Sequence, residues 1–71
     1  MKKIINEFKA SISKIEDLIN LRDNYFECKT ENWQLSIHGI EYNNETELLI
    51  CVKEDLSISM NKLIMFMEQI N

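Results

Sequence analysis

The chain has 71 residues, 45% apolar and 28% charged, which excludes a disordered tail and a protein built around a membrane span. Twelve acids against eight bases give a net charge of −4, the wrong sign for binding nucleic acid by neutralising phosphates. Two cysteines, one histidine, one glycine and no proline exclude a disulfide-rich scaffold, most histidine-based catalysis and any Gly- or Pro-rich linker, so residues 1–71 read as one domain.

Lys2-Lys3-Ile4-Ile5 opens like a secretory leader, but Asn6, Glu7 and Lys9 interrupt it, and a leader needs roughly 7–15 apolar residues there. A cytoplasmic protein with reduced thiols is expected. The segment instead reads as an amphipathic helix over residues 3–23. Ile5, Phe8, Ile12, Ile15, Ile19, Arg22 and Phe26 recur at alternating spacings of three and four, which stacks them on one face. Lys2, Asn6, Ser13, Asp17, Asn20 and Asn24 fall opposite, and Asp23-Asn24 reads as the stop.

From Tyr25 the apparent period becomes two. Phe26 and Cys28 alternate with Glu27 and Lys29, Thr30-Glu31-Asn32 reads as a turn, and Trp33, Leu35 and Ile37 alternate with Gln34, Ser36 and His38. Ile40 and Tyr42 are out of phase with that run, so Gly39 reads as a β-bulge and Asn43-Asn44 as a hairpin turn. Residues 47–53 read as a third strand, apolar on both faces at its centre. Ser59 then reads as the N-cap of a second helix, with Met60, Leu63, Ile64, Met67 and Ile70 on one face and Met65 off it. The expected fold is α+β in αβββα order, a three-stranded antiparallel meander carrying two helices, with αββα as the alternative if residues 25–29 are not a strand.

The αβββα order is also that of double-stranded RNA-binding domains. Their basic cluster at the second helix is missing here, where Ser59-Met60-Asn61-Lys62 holds one base, so no direct nucleic-acid contact is expected. Cys28, His38 and Cys51 lack the paired spacing by which one local element supplies two metal ligands, so no metal and no cofactor are expected. No Ser, Cys or carboxylate stands at a spacing that would build a nucleophile around His38, and the chain is expected not to be an enzyme.

Charge is unevenly placed. Residues 15–55 hold ten acids and three bases, a local −7, while the four lysines of residues 1–14 give +3 after Glu7. Glu41, Glu45 and Glu47 gather around the expected second hairpin, with Tyr42 beside them as an aromatic anchor. Leu49 and Met65 are expected to face solvent and mark an apolar contact. The leading expectation is a non-catalytic acidic module, a small regulator or inhibitor that occupies a basic surface of a larger protein. Lys, Ile and Asn supply 26 of the 71 residues, a bias of AT-rich coding sequence. With the size and acidity, that bias is similar in type to the small inhibitors that phages and mobile elements direct at host nucleic-acid enzymes. The alternatives are a homo-oligomeric structural or accessory protein (in the simplest case a homodimer), and third a small-molecule-binding or enzymatic domain.

Overall fold

A computed structural model describes residues 2–70, and three helices account for nearly all of them. Helix α1 runs Lys2–Glu27, α2 is a single turn at Glu31–Gln34, and α3 runs Ile37–Gln69. The chain folds back once, so α1 and α3 lie antiparallel in a rod 56 × 15 × 11 Å. Among the described residues there is no strand. The expected α+β domain, in either its αβββα or its αββα form, is therefore corrected to an all-α hairpin.

The seam explains why. On α1 the half-buried or buried residues are Ile5, Phe8, Ile12, Ile15, Ile19, Arg22 and Phe26, the stripe read from the sequence. Phe26 takes the next seam position, and α1 stays helical to Glu27 where a strand was expected. On α3 the matching row is Gly39, Tyr42, Thr46, Leu49, Lys53 and Leu56, continued by Met60, Leu63 and Met67. This is again a repeat of three and four, the pattern of helices that pack along a common seam. A hydrogen bond of 2.9 Å from Arg22 Nε to Thr46 Oγ1 joins the two helices across the seam, and this pair is the reference for their register. Carried along the heptads, it sets Ile19 opposite Leu49, Ile12 opposite Leu56 and Ile5 opposite Leu63.

Several expected turns are thus interior to α3. Gly39 is not a bulge, Asn43-Asn44 is not a turn, and Ser59 caps nothing, because α3 is unbroken from Ile37 to Gln69. The true caps lie earlier. Thr30 accepts from the Trp33 amide at 3.3 Å to start α2, and Ser36 accepts from the Gly39 amide at 3.2 Å to start α3. Gln34 Nε2 donates to the Phe26 and Lys29 carbonyls at 2.8 and 3.3 Å, supplying donors where α1 ends.

Gly39 is required for a close approach. A Cβ there would stand 2.2 Å from the Trp33 carbonyl oxygen and 2.7 Å from that of Gln34. Helix propensity alone favours alanine over glycine by about 1 kcal/mol. The overlap is with backbone, which yields only if α2 moves. Gly39→Ala is therefore expected to destabilise by ~1–3 kcal/mol, measured by urea unfolding.

The hairpin has little core. Among the described residues Ile19, 7% exposed, is the buried hydrophobic one, and Thr46, 2% exposed, the buried polar one.

Candidate interaction surface

Two regions carry the chemistry of the hairpin. The first is its closed end, where the seam turns polar and aromatic. Arg22 projects from α1 into the seam, donating to Thr46 Oγ1 and, at 3.0 Å, to the Tyr42 carbonyl. Its guanidinium lies 3.9 Å from the centre of the Tyr42 ring and 3.3 Å from Glu45 Oε2. Thr46 Oγ1 in turn donates to the Tyr42 carbonyl at 3.2 Å. Buried polar groups must find partners, and this arrangement satisfies them in one alignment of the helices, so it holds the register.

Beside this layer stand four aromatic rings. Tyr25 meets Tyr42 at 5.2 Å and Trp33 at 6.0 Å, while Trp33 also meets Phe26 and Tyr42 at 6.0 and 5.9 Å. Lys29 Nζ sits 4.5 Å above the Tyr25 ring. The chain's own Arg22 and Lys29 occupy cation positions on this cluster, as expected of a structural cap that welds α2 to the hairpin. Arg22→Ala removes three hydrogen bonds, one of them the exposed ion pair with Glu45, and the stacked guanidinium, at an expected cost of ~2–3 kcal/mol in urea unfolding. Arg22→Lys should recover little, because an ammonium cannot stack flat on Tyr42 while donating in the same fork.

The second region is one flank of the hairpin. With the seam at positions a and d of each heptad, the g and c rows of both helices lie on the same side. On α1 these rows place Ile4, Leu18 and Leu21 among Glu7, Ser11 and Lys14. On α3 they place Leu48, Val52 and Phe66 among Asp55, Ser59 and Lys62. Leu21 and Leu48 are 68% and 67% exposed, and Leu18 and Val52 lie exposed between them. An open apolar groove lined by Ile4, Phe8 and Leu56, with Glu7 and Ser11 at its edges, extends this surface toward the open end.

The opposite flank is acidic. Glu16, Asp23 and Glu27 on α1 and Glu47, Glu54 and Glu68 on α3 are exposed there against Lys2 and Lys9. Among apolar residues, that side carries Ile40, Ile50 and Ile64.

The residues singled out in the sequence are distributed differently from the expectation. Glu41 and Glu45 lie on the apolar flank near the closed end, and Glu45 is engaged by Arg22. Glu47 lies on the acidic flank, so the acidic trio is not one cluster. Tyr42 is half-buried beneath Arg22 and packed on Tyr25 and Trp33. Leu49 is half-buried in the seam, while Met65 is exposed on the outer side of α3. Leu21, Leu48 and Val52 were missed as a site, although Leu48 and Val52 stood in the run that read as apolar on both faces.

Cys28 and Cys51 are free and exposed, and among the described residues no three His, Cys, Asp or Glu side chains gather to hold a metal ion. No helix among them is long and apolar enough to cross a membrane. Comparison with protein-family models, curated proteins and solved structures finds no match to this chain.

Proposed function

We propose that this chain is a non-catalytic protein-interaction module whose working surface is the apolar flank of the helical hairpin. The observation that carries it is the row Leu21, Leu18, Val52 and Leu48 laid across one flank of a molecule with so small a core. An apolar stripe confined to a and d suits a helix pair, whereas one that spreads to g suits helices packed against further helices. Helix α3, apolar on its seam at Leu49, Leu56, Met60, Leu63 and Met67 and again on the flank at Leu48, Val52 and Phe66, has the pattern of a helix with neighbours on two sides. The protein-binding role expected from the sequence thus acquires a different surface.

A second reading is docking of the acidic flank on a basic protein surface, favoured by the six carboxylates gathered there. A photoreactive benzoylphenylalanine placed at Leu48 or at Glu47, on opposite flanks, separates the two in the source cell. Protein adducts from position 48 and none from 47 are expected. Adducts from 47 alone, or from neither, would overturn the apolar flank as the working surface.

A further inference from the structure

We infer that the occupant of the apolar flank is a second copy of this chain, joined about a two-fold axis parallel to the helices to form a four-helix bundle. This rests on the preceding reading of the flank as the working surface and names its partner. In such a dimer each α1 lies across the partner's α3 at the same height, and every helix is antiparallel to both of its neighbours. No sliding of register is available, so the rows must match as the hairpin sets them.

They do match. The register set by Arg22 and Thr46 places Leu21 level with Leu48, Lys14 level with Asp55 and Glu7 level with Lys62 on the outer rows. On the inner rows it places Leu18 level with Val52, Ser11 with Ser59 and Ile4 with Phe66. Over these six levels apolar meets apolar, small polar meets small polar, and each lysine meets a carboxylate; at the closed end Glu45, level with Tyr25, is held instead by its own Arg22. Among the described residues the salt bridge is Arg22–Glu45, so Glu7, Lys14, Asp55 and Lys62 make none within the chain. Across the two-fold each of the four finds an opposite charge, twice per dimer. A parallel, in-register pairing of α3 with its copy would instead set Asp55 on Asp55 and Lys62 on Lys62.

The area agrees. A folded monomer of this mass exposes about 4,700 Å², whereas the hairpin exposes 5606 Å². The surplus, about 900 Å² over the whole rod, leaves room for a standard interface, which takes ~800 Å² from each partner. The radius of gyration, 16.5 Å, likewise exceeds the ~11 Å of a compact chain of this length.

Sedimentation equilibrium of the wild type, of Lys14→Glu, of Asp55→Lys and of the double variant tests the arrangement, since both positions are exposed and leave the hairpin's own seam untouched. The wild type should sediment at twice 8.5 kDa. Each single reversal should weaken dimerisation by about tenfold or more, and the double variant should return to within a few-fold of the wild type. A monomeric wild type, indifferent single variants, or a double variant no better than the singles would each overturn the dimer as described. A monomer that still gives adducts with another protein from position 48 would leave the working surface intact and remove only the second copy.

Discussion

Ile19→Asp is expected to abolish cooperative folding. Ile19 is the buried hydrophobic residue of the seam, opposite Leu49, and the polar layer of Arg22 and Thr46 lies one turn away. Truncating a buried isoleucine costs ~2–5 kcal/mol, and an unpaired carboxylate left in its place adds to that. A core of this size rarely yields more than ~3–5 kcal/mol, so the substitution removes the whole margin. Circular dichroism at 222 nm should show lost helix and no sigmoidal melt. Ser13→Asp, on the exposed outer face of α1, should change stability by no more than ~0.5 kcal/mol. An Ile19→Asp variant melting like the wild type would mean that α1 and α3 do not pack along this seam.

Leu48→Glu should leave each hairpin helical yet weaken self-association by on the order of a hundredfold. In the isolated hairpin the side chain is 67% exposed, where a polar substitution is ordinarily neutral. In the dimer it is covered twice, once on each side of the two-fold, opposite the partner copy's α1. Burying a leucine is worth ~1.5–3 kcal/mol, and the glutamate adds a carboxylate to an apolar row. Leu35→Glu supplies the contrast, since Leu35 lies at the end of α2, outside that row, and should leave association unchanged. Equal effects at the two positions, read by sedimentation, would contradict an interface centred on the flank.

The first helix was legible because all but one of its seam residues are apolar, and the exception, Arg22, fits the repeat. The second long helix was not. Gly39, Tyr42, Thr46 and Lys53 occupy seam positions on α3, so the three-and-four repeat is hidden where it should be clearest. Each has a physical reason to stand there. Gly39 admits the α2 backbone, Tyr42 and Thr46 receive Arg22, and Lys53 is half-buried, as a lysine whose aliphatic stem suits a seam. Meanwhile Leu48 and Val52, on the flank, interleave with Leu49 and Ile50 nearer the seam. That mixture of two faces mimics the two-residue period of a strand.

The candidate surface was obscured by the same mixture. A run apolar on both faces signals burial on both sides, whether the element is a strand or a helix. Fold class alone decides which residues share a face. With a strand, Leu49 and Cys51 point together; with a helix, Leu48 and Val52 do, and Leu49 turns inward. The absence of proline and the single glycine were the signals that could have favoured uninterrupted helices. The acidic residues were legible as a surplus and not as a surface, because helical spacing sends Glu45 and Glu47 to opposite flanks.

The most direct test of whether the hairpin leans on a second copy for its stability is its thermal unfolding at two concentrations a hundredfold apart, followed at 222 nm. A dimer that dissociates as it unfolds should melt about 10 °C lower in the dilute sample, since dilution shifts the balance by mass action and unfolding entropy scales with the length of both chains. A sharp transition at the same temperature in both samples would show that a single hairpin is stable with its apolar flank bare, and would contradict that dependence.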